Sequence, residues 1–387
     1  MKTRKILLTA AAVILPLTAF AQEKDLVQYV NTRQGTDSRF EMSRGNTYPA
    51  TGMPFGVHLW SPQTGKNGEG WKYQWSEDRI RGFCQSHQCS PWMSDYAVYS
   101  LMPMSGELQV DQDERAEKFS HDNEIGKPNY YKVTFDSGVT TEIAPTERGA
   151  HMRFSYPSGE PAYLVLDGYT HSAGIDIDPE KRQISGWVDN YRFLNSPEGF
   201  RCWFVIKFDK PFEEYGLWEN RNNSLMPGKA EGEGEGYGAY VRFKPGTKVQ
   251  AKAASSYISP EQAELTLSQE LGKDRKLEDT KQRGFETWNK LLNRVLVEGG
   301  TEEQLRTFYS CLFRANLFSR KFYEIKENGE PYYYSPYDGK VHDGYMYTDN
   351  GFWDTFRSQF PLTCILHPTM QGRYMVALLD AQQQCGW

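Results

Sequence analysis

The chain has 387 residues, with 44 Lys+Arg against 50 Asp+Glu and a formal net charge of −6 at pH 7. At 39% hydrophobic, 24% charged and 14% aromatic, with 10 Trp, 24 Tyr and 21 Phe, it is not a disordered chain, a coiled coil or a collagen-like fibre. The length predicts two domains, and the acidic balance offers no cationic surface for nucleic acid, whose binding needs Lys and Arg against phosphates, so neutral polar ligands fit better.

Residues 1–21 read as a signal peptide. Lys2, Arg4 and Lys5 form a basic start, Ile6 to Leu17 an apolar run, and Ala19-Phe20-Ala21 a small-x-small cleavage site before Gln22. The run is shorter than the roughly 20 residues that span a bilayer, and no Cys follows the site. The expectation is a periplasmic or secreted protein with no membrane insertion after cleavage. Removing the leader leaves 41 basic against 50 acidic residues, a net of −9.

From about Asp25 to Ser268 the pattern is that of strands. Tyr131 to Phe135 alternates, Asp136-Ser137-Gly138 supplies turn chemistry and Val139 to Ile143 alternates back, which predicts a hairpin. Ala162 to Leu166, Trp203 to Phe208 and Tyr240 to Phe243 are further β-branched or aromatic runs. Strands at this spacing predict an antiparallel β-sandwich over 22–270. Glu231 to Gly236, alternating Glu and Gly, reads as a mobile, solvated acidic loop rather than a calcium site. Six cysteines are too scattered for a disulfide framework. Cys84 and Cys89 are near enough in sequence to bridge, and no Cys/His cluster has zinc spacing.

After about residue 270 the period becomes helical. Phe285, Trp288, Leu291, Leu292 and Val295 mark linker helices over 271–300, ended by Gly299-Gly300. Thr301 with Gln304 forms a capping box for a helix whose apolar face is Leu305, Phe308, Tyr309, Leu312 and Phe313. A third helix is predicted from about Gly351 to Phe360, stopped by Pro361, and a fourth from about Thr369 to Gln384. These few helices cannot close a core of their own, so the expectation is the N-terminal part of a longer protein.

The most distinctive segment is Asp349 to Arg357. On a helix Trp353 and Arg357 lie one turn apart with Asp354 at the edge. An indole beside a carboxylate and a guanidinium suits a sugar, the ring against its C–H face and the charged groups on its hydroxyls. An aromatic helix with an internal Asp–Arg pair has the same spacing, and spacing alone does not separate the two. A second cluster, Trp71 to Trp75 and Arg81 to Tyr96, carries Trp71, His87 and Trp92 among polar residues, types that bind polyols in loops. Paired acid/base carboxylates cannot be picked out among 50 acids.

Gly45-Asn46-Thr47-Tyr48-Pro49 with Pro54-Phe55-Gly56, the Arg81 to Tyr96 loop, Leu101 to Gly106, Trp288-Asn289-Lys290 to Gln304, and Phe352 to Arg357 together resemble glycoside hydrolase family 92, from about Tyr29 onward. The family comprises calcium-dependent exo-α-mannosidases. The resemblance implies an N-terminal β-sandwich, linker helices and an (α/α)6 barrel, of which 301–387 would be the incomplete start. It implies an inverting reaction, with a Glu acid and an Asp base, and calcium holding two mannose hydroxyls. The acid, the base and most calcium ligands are expected beyond residue 387, so no catalytic residue is assigned within the chain, and the chain alone is expected to be inactive.

The residues carried over bind substrate. They are Trp353 and Asp354 at the mannose, with His87 and its neighbours lining the pocket mouth; the reading of residue types adds Arg357, Trp71 and Trp92 to the substrate-binding candidates. Gln88 to Trp92 departs from the small, Gly-rich stretch of many relatives. The substrate implied is a mannose-containing glycan, as in N-glycan degradation, with α-1,2 linkages taken first. A non-catalytic carbohydrate-binding protein, and a barrel glycosidase for another sugar, are the alternatives.

Overall fold

Alternation of apolar and polar residues lays much of the chain up to Ser256 into antiparallel sheets. In the computed structural model, which describes residues 23–38, 45, 47–66, 72–87, 99–169, 172–189, 197–272, 276–349 and 351–386, the predicted hairpin pairs Tyr130–Phe135 with Thr140–Pro145. Tyr131 stands opposite Ile143, and Gly138 takes a φ of 86° in the turn. Tyr131, Val133 and Phe135 are buried, while Lys132 and Thr134 face the other side. The expected leader 1–21, Trp71, Trp92 and Cys89 lie outside the described residues.

Two large sheets result among the described residues. One has eight strands, ordered Thr51–Gly52, Leu59–Gln63, Gly82–Ser86, Ser100–Ser105, Ala162–Asp167, Tyr237–Phe243, Glu214–Glu219 and Ser224–Pro227. The other has ten, ordered Glu231–Glu235, Ser172–Asp178, Gln183–Asp189, Arg201–Phe208, Lys248–Ser256, Gly149–Ser155, Thr140–Pro145, Tyr130–Phe135, Glu117–Lys127 and Arg79–Ile80. Their inner faces share one apolar cluster, where Trp60, Phe83, Leu101 and Val241 meet Val133, Met152, Phe204 and Ile206. Trp60 also donates from Nε1 to the Gly149 carbonyl across the layers (3.3 Å). This is the predicted antiparallel sandwich, followed by helices.

Four local expectations are corrected. Glu231–Glu235 is an edge strand paired with Ser172–Asp178, not a loop. Its backbone pairs whatever the side chains, the glutamates point to solvent, and the glycines leave room for Tyr237, whose ring a Cβ on Gly232 or Gly234 would meet at 2.9 or 2.8 Å. The strand pattern does not run to Ser268. It ends at Ser256, and α1 (Pro260–Leu271) starts after the Ser259 cap with Pro260 in its first turn. Helix α2 (Leu277–Leu292) stops at Asn293 rather than at Gly299-Gly300, because Asn293 Nδ2 turns to the carbonyls of Asn289 (2.8 Å) and Lys24 (2.9 Å). The helix predicted over 351–360 is two pieces, α4 (Phe352–Thr355) and α5 (Gln359–Leu366). Pro361 falls in the first turn of α5, where no intrahelical acceptor awaits an N–H.

Helix α3 (Glu302–Ala315) begins with the predicted Thr301/Gln304 capping box and buries Tyr309, Leu312 and Phe313, while Phe308 stays 37% exposed. Helix α6 (Pro368–Cys385) matches the predicted fourth helix. Helix α1 lies on the outer face of the ten-stranded sheet, Ala263, Leu267 and Leu271 against Val205 and Ala254. Lys252 of that sheet donates to the carbonyls of Leu271 and Gly272 at its C-terminus, where the helix dipole favours a cation. Trp288 of α2 is fully buried and donates to the Gly52 carbonyl (2.7 Å).

The N-terminal segment is tied across α2 and α3. Leu26 N–H donates to Asn289 Oδ1 (2.9 Å), Asn31 N–H to Ser310 Oγ (2.9 Å), and Arg314 Nη2 to the carbonyls of Thr32 (2.8 Å) and Gln34 (2.9 Å).

Candidate sugar-binding site

Between α3 and α4 the short strand Arg320–Lys321 pairs with Tyr347–Thr348, placing Arg320 opposite Thr348. The next residue, Asp349, has a φ of 66°, a left-handed conformation that Asp tolerates better than most non-glycine residues. This redirects the chain into Gly351 and α4.

The Asp349 carboxylate is 2.6 Å from Arg320 Nε and 3.2 Å from His87 Nδ1, and all three side chains are at most 2% exposed. Arg320 also donates from Nε to Thr348 Oγ1 (3.2 Å) and from Nη1 to the Val57 carbonyl (2.9 Å) and the Tyr257 hydroxyl (3.3 Å), with its guanidinium 4.9 Å from the Phe322 ring centre. Burial opposes ionisation of Asp349, but the Arg320 guanidinium and then His87 outweigh it and hold the carboxyl below its usual range. Buried charge is tolerated when it is paired and hydrogen-bonded. Here three segments far apart in sequence supply the partners.

The sequence-predicted residues fall around this cluster. Trp353, on α4, is 88% exposed, and Asp354 beside it is exposed. Arg357 lies beyond the helix, its exposed guanidinium 5.4 Å from the Phe356 ring. The expected placement of Trp353 and Arg357 one turn apart on a single helix is therefore not made, because α4 ends at Thr355. Among the described residues Asp354 forms no ion pair with Arg357, which leaves both groups open to a ligand. His87 directly follows the Gly82–Ser86 strand and faces Asp349 while 1% exposed. Trp71, Trp92 and the Cys84/Cys89 pairing rest on residues outside the described set.

Sequence reading did not single out Asp349 or Arg320. A signal was available in Asp349-Asn350-Gly351, which is left-handed turn chemistry immediately before the aromatic segment.

Behind the cluster sits a second buried acid. Glu324 Oε1 accepts from the Tyr257 N–H (2.7 Å). Burial pushes its carboxyl up to about 7, offset only in part by Ser256, the Tyr257 N–H and Arg148. Arg148 in turn pairs with Glu270 (2.8 Å) and donates to the Tyr323 carbonyl (2.7 Å).

No group of three or more His, Cys, Asp or Glu suited to a metal occurs among the described residues. Calcium takes six to eight oxygen ligands. Asp349 is occupied by Arg320, and Asp354 is a single exposed carboxylate, so these residues do not assemble a calcium site. No described helix is long and apolar enough to cross a membrane.

The model of the glycosyl hydrolase family 92 N-terminal domain matches residues 29–256, and that of the family's catalytic domain matches 262–387. The chain belongs to glycosyl hydrolase family 92. Among solved family 92 structures, an inverting mannosidase from Bacteroides thetaiotaomicron VPI-5482 is 44% identical, with a TM-score of 0.91 over 94% of this chain and 49% of that one. A family 92 α-mannosidase from Bacteroides thetaiotaomicron shares the fold at 22% identity, with a TM-score of 0.81 over 93% of this chain and 50% of that one. An uncharacterised secreted glycosidase of Arthroderma benhamiae is 20% identical over 380 residues, 88% of this chain and 48% of that protein. The chain thus spans about half the length of these family relatives.

Proposed function

We propose that the protein is exported and acts as an inverting exo-α-mannosidase on mannose-containing glycans, with this chain providing the sandwich and part of the saccharide-binding surface. The observation that carries the reading is the open Trp353-Asp354 pair on an anchored turn, in a chain 44% identical to an inverting mannosidase. The indole offers a flat apolar face to the C–H side of a pyranose. The Asp354 carboxylate accepts from two neighbouring hydroxyls in charge-assisted hydrogen bonds, and Arg357 donates to a ring or glycosidic oxygen.

Inversion requires one carboxylic acid to protonate the leaving oxygen and one carboxylate to activate water on the opposite face. Neither role is assigned to a residue of this chain. Calcium dependence is a property of the enzyme as a whole in this reading, and no metal-suited cluster occurs among the described residues of this chain.

The test is release of mannose from α-1,2-, α-1,3-, α-1,4- and α-1,6-linked mannobioses, with and without a calcium chelator, by the 387-residue chain and by any longer product of its reading frame. Chelator-sensitive release by the longer product and none by the 387-residue chain, fastest from the α-1,2 disaccharide, is the expected result. Saturable mannose binding with no release from any of them would replace the enzyme by a carbohydrate-binding protein.

A further inference from the structure

We infer that Asp349 is a positioning residue that sets where Trp353 and Asp354 stand relative to the sandwich, and that His87 acts on the saccharide site through it. The inference rests on the saccharide reading of Trp353 and Asp354.

Helix α4 cannot orient itself. It has four residues, of which only Thr355 is buried, while Phe352, Trp353 and Asp354 are exposed, and so short a helix has no stability of its own. Its direction comes from its flanks. Downstream, Gln359 Nε2 donates to the Phe318 carbonyl (2.6 Å), a contact within the helical half of the chain. Upstream, Asp349 is bound by Arg320 and by His87.

These two partners lead to the sandwich by separate routes. His87 directly follows the Gly82–Ser86 strand. Arg320 is held by the Val57 carbonyl and the Tyr257 hydroxyl, both from sandwich segments. The left-handed turn at Asp349, with a φ of 66°, then fixes the angle at which the chain leaves toward Gly351. One buried carboxylate therefore carries the sandwich's position to side chains four and five residues on. A sugar subsite between the two units takes its geometry from this carboxylate, although Asp349 does not reach the sugar.

The test labels the chain with 5-fluorotryptophan, assigns the Trp353 line by Trp353→Phe, and records ¹⁹F spectra of wild type, Asp349→Asn and His87→Gln during titration with methyl α-mannoside. Asn keeps the size of Asp and its tolerance of left-handed backbone, and removes the charge. In both variants the Trp353 line is expected to shift or broaden while the lines of the buried Trp60 and Trp218 hold. Affinity for the mannoside is expected to fall roughly tenfold, the scale of one charge-assisted contact.

A Trp353 line unchanged in both variants overturns the inference. If Asp349→Asn also moves the Trp60 and Trp218 lines, its fold has been lost, and His87→Gln decides by the same criterion. If wild type gives no response to the mannoside while the Trp353 line still moves in the variants, the saccharide reading falls and the positioning role stands.

Discussion

Replacing Glu324 by Gln tests how the charged layer between sandwich and helices is balanced. Glu324 is 3% exposed, and its ordinary value of 4.5 is pushed up to about 7 by burial. Between those values the folded state holds a proton that the unfolded state has released. This stabilisation is fully present below pH 4.5 and is lost as pH rises through 7, at about 1.4 kcal/mol per unit and about 3 kcal/mol in all. Gln mimics the protonated acid, keeps the acceptor for the Tyr257 N–H and cannot ionise.

Other acids titrate in the opposite sense. Burial opposes ionisation of Asp349 and Glu147, but Arg320 for the first and Lys321 and Arg148 for the second hold them below their usual values. Only the difference between the two proteins therefore isolates Glu324. Urea unfolding at about pH 5 and about pH 8 is expected to show Glu324→Gln gaining about 2–3 kcal/mol on wild type over that interval. Equal differences at the two pH values would falsify the claim that burial governs this carboxyl.

Trp288→Ala removes a fully buried indole and its bond to the Gly52 carbonyl. It should cost about 3–5 kcal/mol in denaturant unfolding, and a loss below about 1 kcal/mol would show that α2 is not fastened there. Gly238→Ala places a Cβ 2.1 Å from Trp218 Nε1 and 2.5 Å from the Leu166 carbonyl. The expected loss is about 1–3 kcal/mol with a shift in Trp218 emission, and an unshifted, equally stable variant counts against the packing described. Asp354→Ala, at an exposed position, should leave stability within about 0.5 kcal/mol while abolishing methyl α-mannoside binding by calorimetry. Retained affinity removes Asp354 from the site.

Local signals read well from the sequence. The Tyr130 to Pro145 hairpin carries its alternation and its turn in one stretch, and the Thr301/Gln304 box announces α3 by itself. Glu231–Glu235 did not, because what makes it a strand is the partner Ser172–Asp178, 55 to 63 residues away. The break between α4 and α5 was hidden for a related reason, since Pro361 stops a helix only if it falls past the first turn. At the site, Trp353 and Asp354 stood out because their residue types advertise a ligand. Arg320 and Asp349 did not, because a buried ion cluster declares itself only when His87, Val57 and Tyr257 have been folded against it.

The ties between the N-terminal segment and α2 and α3 bear on the order in which the chain can fold. Those bonds join residues 263 to 282 apart in sequence, a range that makes closure late and slow. As the chain is synthesised, residues 24–38 wait without their hydrogen-bond partners until α3 has followed. A chain cut after Ser256 would leave them loose for good. Pulse-labelled amides of Leu26 and Asn31 should be among the last to gain protection, which leaves the first-made end of the molecule open to holdases and proteases for longest.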